Sequence, residues 1–404
     1  MKPLSVDVIA MEFPCPSETF AGNDVRSLSN QGVDVSVRNL RPAIADAVTY
    51  LSDWELQNLS ITHLNRKIVF NTLYFLITKP HWWIFLFYWL VKNRTFKPEQ
   101  LLKSLVLMPR SVEIAAEIQQ KNPQIIHIFW GHYPCMVAAI VQRFMPSIKV
   151  SIFLGSYDLV MRYPGSIDVA NKADSVWTHA KANIPDIRDM GVSNPNLHVV
   201  YRGIDFKKQS LVSQNLESKI PKSIISIGRL IKSKGFDQSI EILAKLIKQW
   251  PETTLTIIGE GEELQALQQK AKQLNVEHAV KFLGHLPHRE VFNRVQHAEV
   301  FLLMSWLDGE RLPNVVKEAI LCRTLCVSTN TIGMEELIQN DSQGFIVPMH
   351  DVEKAYEKIH QIFSHQCNYQ QITQNALDHL HQNFDLDRNM DQYIKQWSLT
   401  AQEV

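Results

Sequence analysis

The sequence predicts an α/β protein made of two Rossmann-like domains in tandem, whose parallel sheets face a central cleft. Two observations support this fold class. Short apolar segments with strand character alternate with longer helical segments through both halves of the chain. Between the two series, residues 206–221 lose the apolar pattern and are predicted to be a linker. The predicted domains are therefore residues 1–205 and 222–384, followed by a C-terminal helix over 385–404 that we expect to pack back on the first domain.

In the first half, strand patterns and helical segments follow one another on either side of an insertion. Residues 40–110 are helical and aromatic without strand rhythm, and are interpreted as that insertion. A helix is predicted near Glu18–Asn30. The predicted strands are Val8–Met11, Val33–Val37, Ile125–Phe129, Val150–Leu154 and Val199–Tyr201.

The second half begins with a buried strand over Ser223–Gly228. The spacing of apolar residues predicts amphipathic helices over Gln238–Trp250 and Glu262–Leu274. The further predicted strands are Thr254–Ile258, Val280–Leu283, Val300–Met304 and Cys326–Thr329.

The composition is typical of a soluble protein with a large core. Of 404 residues, 45% are hydrophobic and 20% are charged. The 41 basic residues balance 41 acidic ones, so no bulk charge attracts a nucleic acid. Five scattered cysteines lack metal-ligand spacing and are interpreted as thiols in a reducing cytoplasm. Acidic residues at positions 7 and 12 come too early for a secretory signal peptide, so we expect a cytoplasmic protein.

An aromatic segment qualifies this expectation. Residues 82–91 form an apolar run of ten residues, which is too short to cross a bilayer as a helix. Lys79, Lys92, Arg94 and Lys97 flank the run, a pattern typical of a peripheral contact with a membrane surface through residues 73–97. The alternative is that these helices pack on a domain or a second copy of the chain.

The most informative segment contains two glutamates, Glu310 and Glu318. Glu310 is predicted to lie in a polar loop, and Pro313 suits the first turn of the helix that follows. Glu318 then lies in the second turn of that helix. Acidic groups on either side of a helix N-terminus, whose N–H groups attract phosphate, would suit a phosphorylated ligand rich in hydroxyls. The alternative is that both acids only complement the helix dipole.

Two cations follow the first strand of the second domain. Arg229 and Lys234 lie in the turn Gly228–Gly235, where a diphosphate would arrive. An ordinary surface loop would look similar, because lysine is common in loops. Gly259 and Gly261 close the next strand as a Gly-x-Gly motif, which is weak evidence when taken alone.

In their order along the chain, these motifs resemble those of the GT-B glycosyltransferases of glycosyltransferase family 4. The resemblance covers most of the chain and is strongest over 223–350. At the N-terminus, Phe13–Phe20 resembles the opening loop of members that build exopolysaccharide and lipid-linked oligosaccharides. Arg202–Asp205 resembles the motif that ends their N-terminal domain.

This resemblance implies a retaining transferase that uses a nucleotide-diphosphate sugar, without a cofactor or a metal ion. Glu310 would be the catalytic residue beside the donor sugar, and Glu318 would hold the ribose. Arg229 and Lys234 would neutralise the leaving diphosphate. The remaining donor-site loop residues would be Gly228, Gly259, Gly261, Arg311, Leu312, Pro313 and Asn314. The acceptor-side candidates are Ser17, Glu18, Thr19, His132 and Asp158.

Two positions depart from the pattern of the family. Arg311 stands where glycine is usual, and Leu154 stands where many relatives have an acceptor-side histidine. His132 could take over that role, but a structural histidine is an equally good interpretation.

The leading hypothesis is transfer of a sugar to a polysaccharide or a lipid-linked glycan at the cytoplasmic face of the membrane. The alternatives are a small soluble acceptor, or a GT-B subunit that has lost catalysis.

Overall fold

The structure is a computed structural model that describes residues 3–16, 18–93, 98–209 and 219–402. The described residues fall into two compact units. The first contains the chain up to Gly203 together with the segment that starts at Leu386, and the second is Ile204–Asp385.

The first unit is organised around a seven-stranded sheet in which every pair of neighbours is parallel, in the order β3-β2-β1-β4-β5-β6-β7. In the third strand of this order, Val8 pairs with Val37 on one side and with His127 on the other. The strands are β1 Ser5–Ala10, β2 Asp34–Asn39, β3 Ser60–Thr62, β4 Ile125–Ile128, β5 Lys149–Phe153, β6 Ser175–Thr178 and β7 Leu197–Val199.

Helices flank this sheet and form the insertion between β2 and β4. They are α1 Thr19–Asn30, α2 Ala47–Asp53, α3 Ile68–Thr78, α4 Pro80–Lys92, α5 Pro98–Lys121, α6 Cys135–Phe144, α7 Ser156–Met161, α8 Pro164–Lys172 and α9 Asn183–Asp189. In the part of the chain that the structure describes, no helix is both long and apolar enough to cross a membrane.

The second unit has a six-stranded parallel sheet in the order β10-β9-β8-β11-β12-β13. Its strands are β8 Ile220–Ile227, β9 Thr254–Ile258, β10 Val280–Phe282, β11 Ala298–Leu303, β12 Leu325–Thr329 and β13 Phe345–Val347. Its helices are α10 Phe206–Gln209, α11 Phe236–Leu246, α12 Leu264–Gln273, α13 His288–His297, α14 Asn314–Leu321, α15 Met334–Leu337, α16 Val352–Phe363 and α17 Tyr369–Asn383.

The last helix, α18 Leu386–Gln402, belongs to the first unit. Asp387 accepts a hydrogen bond from the hydroxyl of Ser27 on α1 at 2.7 Å. Near the other end of the helix, the indole of Trp397 donates to the Ser151 hydroxyl on β5 at 3.0 Å. Between them, Tyr393 stacks on Trp177 with 4.0 Å between ring centroids. The C-terminal helix is therefore anchored along its length.

Several elements differ from the sequence-based expectation. The predicted strand Val199–Tyr201 is observed two residues earlier, as β7. Three strands were not predicted, namely β3 in the insertion, β6 and β13. They have three or four residues each, too few to establish a periodicity. The predicted linker is also shorter, because α10 and β8 occupy its two ends; residues 210–218 lie outside the described part of the chain.

Candidate functional site

The candidate donor-site residues lie on the second unit, where three adjacent strands end. Strands β9, β8 and β11 are neighbours in the parallel sheet, so their carboxyl ends lie at the same edge. Gly228 follows β8, Gly259 follows β9, and Ser305 lies two residues after β11. Ligands of open α/β sheets bind at this edge.

The loops after β8 and β11 are locked together by a close backbone approach. Gly235 has φ of +67°, and a Cβ atom there would lie 2.0 Å from the carbonyl oxygen of Met304. The same two loops are also joined by a hydrogen bond, which the Trp306 N–H donates to the Ser233 carbonyl at 2.8 Å. Only glycine permits both the left-handed conformation and this contact. The approach fixes the turn that carries Lys234 against the loop that leads to Glu310.

Lys234 and Glu310 form an ion pair between the Lys234 Nζ and the Glu310 Oε1. Their side chains are only 11% and 8% exposed. The other carboxylate oxygen, Glu310 Oε2, is buried and has no hydrogen-bond partner among the described residues. A buried carboxylate oxygen without a partner is costly, so it is a strong acceptor for a ligand hydroxyl.

The loops after β8 and β9 are also in close contact. Gly259 has φ of +139°, and a Cβ atom there would lie 1.9 Å from the Gly228 carbonyl oxygen. The Leu230 N–H donates to the Glu260 carbonyl at 2.8 Å, which continues the pairing beyond the strands. Arg229, between these contacts, has an exposed side chain. The backbone is thus held in place while the guanidinium can reach a ligand.

Helix α14 carries the second predicted glutamate. The helix starts at Asn314, and Pro313 is its N-cap residue, with φ −59° and ψ 132°. The prediction that Pro313 lies in the first turn of the helix is therefore wrong by one position. Glu318 does lie in the second turn, and its carboxylate is 18% exposed. Asn314, at the N-terminus of the helix, is exposed to solvent.

Glu318 has a partner that the sequence did not indicate. The Nε2 atom of His288 lies 3.0 Å from Glu318 Oε1. This hydrogen bond raises the pKa of His288, against the opposing effect of its partial burial. His288 begins α13, directly after Pro287, and no motif distinguishes it from the other histidines of the chain.

The segment between the two glutamates has an unusual backbone. Leu312 is buried and has φ of +49°, in the left-handed region that favours glycine. Arg311, the departure from the family pattern, is half-buried beside it. In this turn the backbone strain falls on Leu312, the residue directly after Arg311.

The first unit collects three of the predicted acceptor-side residues. Glu18 precedes α1 and accepts a hydrogen bond from the Trp130 indole at 3.1 Å. Burial raises the pKa of the Glu18 carboxyl, partly offset by that hydrogen bond and by the positive charge of Arg202. His132 Nδ1 lies 3.5 Å from Asp158 Oδ1, and Asp158 is 1% exposed. Ser17 lies outside the described residues, and Thr19 is exposed at the start of α1.

Arg202 is a further functional candidate, which the sequence indicates only as part of the motif Arg202–Asp205. Its guanidinium lies 3.6 Å from the ring centroid of Phe20, 4.9 Å from that of Trp130 and 4.7 Å from that of Phe153. These aromatic contacts and the negative charges of Asp24 and Glu18 hold a buried cation beside the acceptor-side cluster. The aromatic residues come from separate parts of the sequence, so no local pattern reveals the arrangement.

Leu154 occupies a fully buried position after β5. Its Cδ2 atom would lie 2.5 Å from a Cβ atom at Gly131, so it packs directly behind the loop that carries His132. This supports a packing role for Leu154.

Within the described residues, no group of three or more His, Cys, Asp or Glu side chains is placed to hold a metal ion. The Asp-x-Asp sequence, Asp385 and Asp387, is divided between the two units, and Asp387 bonds to Ser27.

Comparison with known proteins adds to this geometry. Residues 207–379 match the family described as glycosyl transferases group 1. The putative colanic acid biosynthesis glycosyltransferase WcaL of Escherichia coli K12 is 24% identical over 382 residues, covering 88% of this chain and 90% of WcaL. The N-acetyl-alpha-D-glucosaminyl L-malate synthase of Bacillus anthracis is 23% identical over 303 residues, covering 72% and 77%.

The crystal structure of Anabaena HepE in complex with UDP superimposes with a TM-score of 0.71 at 16% identity, covering 98% of this chain and 99% of HepE. The range that matches the glycosyl transferases group 1 model lies within the second unit. With its two parallel sheets, the chain is a glycosyltransferase of the GT-B fold. The predicted pair of Rossmann-like domains is thereby confirmed. All the donor-site candidates of this glycosyltransferase lie within the matched range.

Proposed function

We propose that this glycosyltransferase moves a sugar, with retention of configuration and without a metal ion, from a nucleoside-diphosphate sugar to a polysaccharide or lipid-linked glycan. The observation that carries the proposal is the carboxylate of Glu310. One of its oxygens is held by Lys234, while the other is buried without a partner among the described residues. A sugar hydroxyl can satisfy that second oxygen, which would position the donor sugar beside it.

The leaving group is the nucleoside diphosphate. In the proposed step, the bond between the anomeric carbon and the phosphate oxygen breaks, and its electron pair stays on the diphosphate. The acceptor hydroxyl oxygen bonds to the anomeric carbon, and its proton passes to the departing phosphate. Arg229 and Lys234 lie on the loop after β8, where they would stabilise the developing negative charge. The proposal of metal independence rests on these two cations.

Glu318 is proposed to bind the ribose hydroxyls. Its partly exposed carboxylate stands in the second turn of α14, and its present partner, His288, has a side chain that is 64% exposed. His288 can leave Glu318 at little cost, because an exposed pair of this kind contributes little free energy to stability. Retention of configuration and membership of family 4 rest on the resemblance of these motifs.

The acceptor class is proposed from the relatives. WcaL is named for colanic acid biosynthesis, which favours a glycan acceptor, and it matches over more of the chain than the malate synthase does. The name of the malate synthase makes a small hydroxy acid the second candidate for the acceptor. A cytoplasmic location is proposed because all five cysteines are free thiols.

The test is a two-stage assay with purified protein. A thermal-shift screen against nucleoside diphosphates and their sugars identifies the donor, because a ligand stabilises the folded state in proportion to its affinity and concentration. The donor is then supplied with lipid-linked glycans or with small hydroxy acids. Formation of an α-linked product from an α-linked donor, followed by NMR of the anomeric proton, supports the proposal. An inverted product overturns the retaining mechanism, and the absence of any stabilising nucleotide overturns the donor site.

A further inference from the structure

The helices of the insertion expose an unusual amount of apolar surface. Nineteen large hydrophobic side chains are exposed in the described part of the chain, and thirteen of them lie on α3, α4 and α5. The most exposed are Ile77 (81%) and Phe70 (76%) on α3, Ile84 (71%) on α4 and Val106 (70%) on α5. Large exposed apolar patches mark surfaces that bind a protein or a membrane.

These side chains form one stripe on each helix. On α4, the exposed residues are Ile84, Phe87, Tyr88 and Val91, which repeat at helical spacing. The opposite side of α4 carries Trp82, Leu86, Trp89 and Leu90, all buried in the core of the first unit. Packing within the unit therefore accounts for one side of α4 and leaves the other unexplained. We call the exposed stripes of α3, α4 and α5 the insertion face.

A groove opens in the insertion face between α3 and α5. It encloses about 400 Å³ and is lined mainly by apolar side chains, including Leu73, Val106 and Leu107. Arg110, at one wall, is tied to Glu113 by an ion pair of 2.6 Å. The volume and the apolar lining suit a hydrocarbon chain.

The charge around the insertion face differs from that of the chain as a whole. Residues 56–112 contain eight basic residues and one acidic residue, Glu99, although the complete chain has 41 of each sign. Arg66, Lys67, Lys92 and Lys103 have exposed side chains. Basic residues beside exposed aromatic ones are complementary to the headgroups of anionic lipids.

Helices α3 and α4 are too short to span a bilayer, and α5, although it has 24 residues, is not apolar enough. Helix α3 has 11 residues and α4 has 13, whereas about 20 are needed to cross the hydrocarbon core. Their apolar stripes suit a position parallel to the membrane, at the depth of the headgroups.

From these observations we propose that the insertion face binds the surface of an anionic lipid bilayer, with a hydrocarbon chain of that bilayer in the groove between α3 and α5. The binding does not depend on the proposed transfer reaction. The apolar stripes supply the hydrophobic contact, and the exposed basic side chains of Arg66, Lys67, Lys92 and Lys103 select negatively charged lipid.

The first experiment measures partition of the full chain onto vesicles of phosphatidylglycerol and phosphatidylcholine, compared with phosphatidylcholine alone. We expect partition onto the anionic vesicles to be at least about tenfold stronger, and to fall as salt is raised. The double variant Phe70→Ser/Phe87→Ser should lose at least about tenfold in partition, because it removes two aromatic contacts. Leu399→Ser/Val160→Ser changes two other exposed apolar residues and should bind like the unaltered chain.

The second experiment tests the charges. Lys67→Glu/Lys92→Glu should reduce binding to anionic vesicles at least about tenfold. Lys272→Glu/Lys281→Glu makes the same change of net charge at exposed positions of the second unit, and should have little effect. Equal loss in both variants would mean that only net charge matters, which overturns the assignment to the insertion face.

Sedimentation of the free chain separates the membrane from a second copy of the protein. If the chain forms a dimer that Phe70→Ser/Phe87→Ser dissociates, and it does not bind vesicles, the face is a protein interface and the proposal is wrong. Equal binding to neutral and anionic vesicles would also contradict it. Circular dichroism reports whether each variant is folded. If the double variant is unfolded, the single variants Phe70→Ser and Phe87→Ser are measured in its place.

Discussion

Lys234 and Glu310, 76 positions apart in the sequence, form a buried ion pair at the edge of the second sheet. The pair joins the loop after β8 to the loop after β11. It gives Lys234 two tasks, since the same ammonium group fixes the carboxylate of Glu310 and faces the place proposed for the diphosphate. A cation already held in position stabilises developing charge without the cost of reorganisation.

The first prediction concerns the carboxylate. Glu310→Gln keeps the size of the side chain but removes the charge, so we expect kcat to fall at least about a hundredfold. Affinity for the nucleoside diphosphate alone should change little, because the proposed contact of Glu310 is with the sugar. Initial rates and calorimetry measure the two quantities.

The matched control for this variant is Glu252→Gln, an exposed glutamate of the same unit. Its turnover should equal that of the unaltered chain. Normal turnover of Glu310→Gln in a folded protein would remove Glu310 from the catalytic role.

The second prediction separates phosphate binding from nucleoside binding. Arg229→Ala and Lys234→Ala should each weaken the affinity for a nucleoside diphosphate about tenfold, because each removes a charged contact. The affinity for the corresponding nucleoside, which has no phosphate, should stay the same in Arg229→Ala. Calorimetric titration with both ligands measures the difference.

Lys248→Ala, at an exposed position on the same unit, is the control for lost positive charge. A uniform loss for nucleoside and nucleoside diphosphate in Arg229→Ala would contradict a contact with the phosphates.

The sequence predicts the parts of the site that depend on local motifs, but not those that depend on contacts between residues far apart in the chain. The order of the motifs placed Arg229, Lys234, Glu310 and Glu318 on the loops and helix where they are found, since each follows a strand with a clear apolar pattern. The pairing of Lys234 with Glu310 was not predicted. It depends on the close contact of Gly235 with Met304, which joins two distant segments.

Other features had no local signal at all. The contact between His288 and Glu318 spans 30 positions and involves an ordinary surface histidine. The aromatic rings around Arg202 come from three separate places, namely α1, the loop that follows β4, and strand β5. Strand β13 has three residues, and its assignment requires its pairing with β12. Such features arise from tertiary contacts, which periodicity and propensity do not record.

The third prediction concerns pH and the partner of Glu318. In the ligand-free protein, the hydrogen bond to Glu318 raises the pKa of His288 from its ordinary value of 6.5. If ribose hydroxyls replace His288 on the carboxylate, the pKa of His288 returns towards that value in the complex. The free protein then binds more protons than the complex, so affinity for the nucleoside diphosphate rises as pH increases through the interval between the two pKa values.

Calorimetry from pH 6 to about pH 9 measures this effect. Because His288 is largely exposed, we expect a change of only about threefold. The phosphates of the ligand titrate in the same way in every variant. The pH profile of affinity is therefore compared with that of His288→Gln, in which the part of the pH dependence due to His288 should disappear. An identical pH profile in the two proteins would mean that His288 stays on Glu318 when the nucleotide binds.

The fourth prediction tests the backbone contact that brings the ion pair together. Gly235→Ala places a methyl group where the Met304 carbonyl oxygen lies 2.0 Å away, at a residue with φ of +67°. The loops after β8 and β11 must separate, so the free energy of unfolding should fall by about 2–4 kcal/mol. Gly309→Ala is the matched control in the same site, because a Cβ atom there has no neighbour within 4 Å and should change stability by less than about 0.5 kcal/mol. Denaturant titration of both variants measures the two values, and similar stabilities would show that the close approach does not hold the loops together.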